Sequence, residues 1–201
     1  MNIGIVTSYL VAGIILLSII MMNVSLSNSS TELTLTNMKR QHMSGITQTI
    51  TSDFNKMGYN LTELLDPIFL AADSNRISFR SNIDNSSDGS VETVTWTLTT
   101  TEDSNSENPN DYILTRSVDG NTMEIKQGVT RFSLRYYDTY GAPLNNNMAM
   151  PVSSSDFDQI RQIKVLIELQ SKEMINTNTS GSSYYVKTFW EKRLSPPNLD
   201  N

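Results

Sequence analysis

The chain has no cysteine, one histidine, six prolines, and only 18% charged residues among 201. Without cysteine there is no disulfide framework and no thiol nucleophile. With His42 alone, neither a Cys/His zinc site nor a Ser-His-Asp triad can be assembled. No Gly-rich phosphate loop, G-x-S-x-G or H-E-x-x-H occurs, so the sequence gives no reason to expect an enzyme or a bound cofactor. The formal net charge is −6, which offers nucleic acid no overall attraction, and none is expected as a partner. The polar part of the composition is rich instead in Ser, Thr and Asn, as suits an extracytoplasmic surface.

Charge is also missing locally. Met1 to Thr31 carry no charged side chain, and the first to appear is Glu32. Within that stretch Ile3 to Met22 is almost continuously apolar, including Leu10-Val11-Ala12-Gly13-Ile14-Ile15-Leu16-Leu17. About 20 helical residues at about 1.5 Å each match a hydrocarbon layer of about 30 Å, so this segment reads as a retained membrane anchor. A cleaved signal peptide fits less well: no Lys or Arg precedes the run, the run exceeds an h-region, and no A-x-A site follows it.

Beyond the anchor, Leu35, Met38, His42/Met43, Ile46, Ile50, Phe54 and Met57 recur in steps of three and four, one face of an amphipathic helix. Gly58 is placed to stop it. Between the two, Asn23 to Thr36 is made of mediocre helix formers, either a break or a tolerated continuation. If continuous, Ile3 to Met57 makes a helix of roughly 80 Å. The expected division is 1–22 for the membrane helix, 23–58 for its amphipathic continuation, and 59–201 for a globular β domain.

After Asp73 the pattern alternates with period two. Strands are expected at Ile77/Phe79, at Val94/Trp96/Leu98, over 112–118, over 123–126, over 129–137, through Ile163, Val165, Ile167 and Leu169, and over 184–190. Asp119-Gly120 marks a hairpin turn between the third and fourth. Polar loops fall at 82–90, 100–110, 144–157 and 176–183. The class is α+β, an antiparallel sheet with Ile46, Ile50 and Phe54 as the helix face that covers it.

Candidate ligand sites are few. Asp84, Ser86, Asp88, Gly89 and Glu92 are spaced like the first half of a calcium loop, but Thr95 stands where a bidentate Glu is needed and no helices flank it. A polar connection between strands is the simpler reading, with calcium the alternative. His42 beside Lys39 and Met43 reads as a packed or solvated helix residue. Arg131, Arg135, Arg161 and Arg193 can lay aliphatic stems on the sheet with their charges in water.

Several short blocks then occur in order: Asp53-Phe54-Asn55-Lys56-Met57-Gly58-Tyr59, Ala71-Ala72-Asp73-Ser74-Asn75-Arg76-Ile77-Ser78-Phe79-Arg80, Val94-Thr95-Trp96-Thr97-Leu98, Leu114-Thr115-Arg116, Gly128-Val129-Thr130-Arg131-Phe132, Arg135-Tyr136-Tyr137-Asp138-Thr139-Tyr140-Gly141, and Trp190-Glu191-Lys192-Arg193-Leu194. In that order, behind an anchor helix, the chain resembles the minor pilins and pseudopilins of type IV pili and type II secretion systems, particularly the W-type minor pilin and the J-type pseudopilin. The resemblance implies a pilin-like fold whose long helix is a filament spine. It implies other pilin or pseudopilin subunits, an inner-membrane assembly platform, a prepilin peptidase and the lipid bilayer as partners, and a place in a tip or initiation complex. It also implies residence in the bacterial inner membrane as a single-pass protein with its C-terminal domain outside the cytoplasm. The family's processing site maps onto Gly4 and Ile5, but cleavage there puts Tyr9 where the family carries a Glu, and Met1-Asn2-Ile3 has no basic residue. The alternative is a membrane-anchored extracytoplasmic binding or adhesin domain that does not polymerise.

Overall fold

The computed structural model describes residues 3–61, 67–84, 90–176 and 183–200. Its first element, α1, is one unbroken helix over Ile3–Asn55. The Ser/Thr-rich middle does not interrupt it, because its hydroxyls turn back onto the helix: Ser29, Thr31 and Thr34 donate to the carbonyls four residues earlier at 2.9–3.0 Å. Such back-bonding removes the competition with helix that these side chains otherwise offer.

The helix stops two residues before Met57, earlier than the apolar spacing predicts. Lys56, Met57 and Tyr59 instead form tight turns, and Gly58 takes φ +70°. The orphan carbonyls at this end are taken by the head: Ser81 Oγ donates to Lys56 O at 2.5 Å and Asn198 Nδ2 to Met57 O at 3.0 Å, while Gly58 N–H donates to Arg80 O at 3.0 Å. A Cβ at Gly58 would stand 2.9 Å from Ile68 Cδ1. Sheet and C-terminal segment therefore hold the helix end by its backbone.

The strands are β1 (Phe69–Ala72), β2 (Arg76–Ser81), β3 (Glu92–Glu102), β4 (Tyr112–Val118), β5 (Asn121–Tyr137), β6 (Gln162–Gln170), β7 (Ile175–Asn176), β8 (Ser183–Tyr184) and β9 (Lys187–Leu194). Among the described residues, seven make one antiparallel sheet in the order β1-β2-β3-β4-β5-β6-β9, and β7-β8 form a separate small ladder. The α+β architecture expected from the sequence is the observed one. Several strand boundaries differ, among them that of β3, which runs to Glu102 into the loop expected over 100–110. β1 lies before Asp73, in a stretch too short for alternation to show. The segments expected separately at 123–126 and 129–137 are one strand, β5, bent at Gly128 (φ +82°) so that its first part pairs with β4 and its second with β6. The last strand, expected over 184–190, is divided: Ser183–Tyr184 is β8 of the small ladder, and β9 runs from Lys187 to Leu194. The loop over 144–157 also runs into a 3-10 helix, Ser154–Gln159.

Asp119-Gly120 forms the predicted two-residue hairpin turn, with φ +48° and +84°, the positive pair that a type I′ turn demands. One sheet face carries Ile77, Phe79, Val94, Trp96, Leu114, Phe132, Leu134, Tyr136, Ile163, Val165 and Ile167, all buried. That face and the buried stripe of α1 form the core.

Candidate functional site

Two surfaces of α1 define what this chain can do. From Ile3 to Leu33 its large apolar side chains are exposed on every side, including Tyr9, Leu10, Ile14, Leu17, Ile19 and Met22. Thr7, Ser8 and Ser18 donate back to carbonyls of the preceding turn, so these three hydroxyls are satisfied within the helix. α1 is the one helix long and apolar enough to cross a membrane among the described residues. A shallow apolar groove runs along it between Val6, Tyr9, Leu10, Gly13, Ile14 and Leu17. Gly4 and Ile5, the residues of the inferred processing site, lie in its first turns, with Ile5 exposed.

The second surface is the dock. Ile46, Ile50 and Phe54 are buried as expected, with Ile50 and Phe54 at 0% exposure, and Phe54 meets the edge of Phe79 with ring centroids 5.9 Å apart. Burial of that order is worth roughly 1.5–3 kcal/mol per side chain. The stripe departs from the one the sequence predicts only at its N-terminal end: Met38 is 48% exposed, and Lys39 is buried in its stead. On a helix this is one residue's step of about 100°, and the sheet selects which flank is covered.

Inside the dock sits a charge the apolar spacing does not announce. Asp53 is buried and its carboxylate receives three bonds from the sheet: Arg116 Nε at 2.7 Å and Nη2 at 2.9 Å, and Trp96 Nε1 at 2.9 Å. Trp96 and Arg116 are directly paired across β3 and β4, so both donors converge on one point of the helix. The fork is bidentate, the strong geometry for a carboxylate. The hydrogen bonds that Arg116 donates to Asp53 raise the Arg116 pKa above its ordinary value. An Asp in line with an apolar stripe is the signal that could have revealed this contact.

A second polar cluster closes the membrane-proximal end of the dock. Lys39 Nζ donates to Gln127 O at 2.9 Å, and Lys172 Nζ to Asp103 Oδ2 at 2.5 Å. Asp111 is fully buried opposite Asp103, whose N–H donates to Asp111 O at 2.8 Å, and neither Asp111 carboxyl oxygen has a hydrogen-bond partner in good geometry. Burial pushes the Asp111 pKa up, with the Ser106 hydroxyl and the charges of Lys172 and Lys39 opposing it in part. The bond from Lys172 holds Asp103 below the usual carboxylate value. Burial lowers the Lys39 pKa, and burial followed by the Lys39 and Lys172 charges lowers that of His42. His42 is thus a half-buried helix residue, with a buried Nδ1 that lacks a partner.

Of the calcium-loop candidates only Asp84 and Glu92 are among the described residues. Ser86 and Asp88 lie outside the described residues, and Glu92 is committed to its own loop, accepting from Ile83 N–H at 2.7 Å and Ser90 Oγ at 3.2 Å. Among the described residues no three His, Asp or Glu side chains converge on a possible metal position. Of the four arginines, Arg193 stacks over Tyr137 at 4.0 Å and donates to Ala142 O at 2.7 Å. Comparison with family models, with curated proteins and with solved structures found no match to this chain.

Proposed function

We propose that this chain is a minor pilin or pseudopilin, a structural subunit that assembles with other subunits through α1. The observation that carries the reading is a single 53-residue helix, exposed and apolar in its first half and docked on an antiparallel sheet in its second. An apolar surface of that extent, open on every side, needs either lipid or other helices around it. A subunit that waits in the inner membrane and then enters a filament core meets both in turn. In this reading Ile3–Met22 packs against other subunits, the β domain contacts them outside the cytoplasm at a filament tip, and a cytoplasmic ATPase with its inner-membrane platform drives assembly. Tyr9, standing in for the family's Glu, has no carboxylate to pair with a neighbour's terminal amine, which fits a tip position better than a mid-filament one.

The reading is tested by the intact mass and first residue of the protein from its native membrane, with and without the prepilin peptidase. A peptidase-dependent start at Ile5, methylated on its amine, is expected. A Met1 start in both strains would overturn it. The same Tyr9 also favours one rival, a domain permanently tethered as a surface binder, and that rival predicts retention with the membrane when surface filaments are sheared off.

A further inference from the structure

The two edges of the main sheet differ. β1 is four residues long, its pairing with β2 shifts between Phe69 and Ala71, and its Ala72 carbonyl already accepts from Val152 N–H at 3.0 Å. Shortness, irregularity and a covering segment are the usual ways of closing an edge. β9 is neither short nor irregular, and α1, the element packed closest to it besides β6, takes none of its backbone groups. Eight consecutive residues pair with β6 without a shift, there is no proline, and among the described residues its backbone makes no hydrogen bond outside that ladder.

The side chains of β9 carry a message as well. Trp190 pairs with the buried Ile167, so Phe189, Glu191 and Arg193 face the side away from the core. Phe189 is 75% exposed, more than any other large apolar residue of the head among the described residues, and lies diagonal to the half-buried Leu166. Glu191 is held by Lys164 at 2.8 Å and Arg193 is spent on Tyr137 and Ala142. What remains is cationic: Lys187, 3.9 Å from Glu168 and well exposed, and Lys192, exposed. An acidic protein thus ends its sheet in an edge with an excess of basic residues, Lys187 on the face of Phe189 in a long pair with Glu168 and Lys192 on the opposite face beside Trp190.

We infer that β9 receives an extended acidic segment of another protein as an added strand, with an apolar residue of that segment resting on Phe189. Main-chain bonds would supply the affinity, and Lys187, Phe189 and Lys192 the choice of partner. A second copy of this chain does not suit the place. β9 runs in the same sense as α1, from the level of Lys39, beside Gln170, to that of Met57, which Asn198 holds. Antiparallel pairing of two β9 strands would therefore send the two membrane helices in opposite directions. Pairing of β9 with a second copy's β1 meets the edge that Val152 already occupies.

The inference does not rest on the filament reading, since a tethered domain could use the same edge, and its test leaves the N-terminal start untouched. The probe is a fluorescein-labelled synthetic peptide alternating glutamate with valine and tyrosine, titrated by anisotropy into the full chain in detergent micelles. Its counterpart has lysine for glutamate. The glutamate peptide is expected to bind and to slow amide exchange in β9, and the lysine peptide is not. Phe189→Thr, which keeps strand propensity, is expected to weaken binding by at least about tenfold. Lys187→Thr with Lys192→Thr is expected to weaken it and remove its salt dependence. Equal binding of both peptides, binding of neither, or protection outside β9 would overturn the inference. So would a lysine double variant that self-associates while still binding the peptide, because the lysines would then serve only to keep strands away.

Discussion

The two halves of α1 share one backbone and differ in everything around it. Both are the same unbroken helix. From Ile3 to Ser27 every side chain is exposed, whereas from Lys39 to Phe54 one face is enclosed by the sheet. The first half gains nothing from the fold and must find its apolar surroundings elsewhere. The second half is stable because a particular stripe meets a particular sheet face. Hydrophobicity alone therefore does not assign a role to a helix segment: its angular distribution does, all round for lipid or a filament core, one-sided for a dock.

The sharpest way to break the comparison is a charge placed in each half. Leu16→Asp puts a carboxylate at the centre of the apolar run, at a cost of about 2.5–3.5 kcal/mol for insertion. Loss of the protein from carbonate-washed membranes is expected, with the head still resistant to protease. Retention in the membrane would refute the anchor. The mirror change, Ile50→Asp, should leave targeting unaltered and unfold the head, since Ile50 is wholly buried in the dock. Even the milder Ile50→Ala is expected to remove about 2–5 kcal/mol, read as a fall in the thermal midpoint.

Asp53 tests whether the dock is held by shape or also by charge. Asp53→Ala leaves the Arg116 guanidinium and the Trp96 N–H without their acceptor in a part-buried place. A loss of about 3–5 kcal/mol in denaturant unfolding is expected. The double variant Asp53→Ala with Arg116→Met should recover part of it, because no uncompensated charge then remains. If the double variant is as unstable as the single, the carboxylate matters for something other than its partner.

Much of this architecture is legible in the sequence for simple reasons. The Leu10–Leu17 run, the 3.6-residue stripe through Ile46, Ile50 and Phe54, the alternation at Ile163–Leu169 and the turn at Asp119-Gly120 are each local, so short-range rules suffice. What the sequence hides depends on contacts far along the chain. Asp53 meets Trp96 and Arg116, 43 and 63 residues away, and no periodicity encodes that. β5 reads as two strands because Gly128 interrupts the pattern, yet the positive φ it allows is what bends one strand between two neighbours. Met38 and Lys39 exchange roles because the sheet, not the helix, decides where the covered face ends.

Gly128 sharpens the comparison at the border of the dock. A Cβ there would run into the Gln170 carbonyl oxygen and Lys39 Nζ, and φ +82° is strained for any L side chain. Gly128→Ala is expected to cost about 1–3 kcal/mol, read as a lower thermal midpoint. Because it displaces Lys39, it should also speed amide exchange in the membrane-proximal part of the dock before it does so near Phe54. Uniform acceleration along the docked half would show instead that the dock opens as one unit.

The smallest effect probes the same border electrostatically, and the chain is convenient for it because His42 is its only histidine. Burial first, then the charges of Lys39 and Lys172, places the His42 pKa below its ordinary value of 6.5. The folded state thus disfavours the imidazolium: the stability that His42 contributes is fully present above 6.5 and is lost as pH falls from there through the folded value. Asp111 works in the opposite sense. Its raised pKa means that ionisation burdens the folded state as pH rises from the ordinary carboxylate value through the folded one. The single imidazole resonance should therefore titrate below 6.5 in the intact chain, and Lys39→Met should move it upward, since one of the two opposing charges is gone. A midpoint at 6.5, insensitive to Lys39→Met, would mean that His42 faces water and that the docked half of the helix begins above it, nearer Ile46.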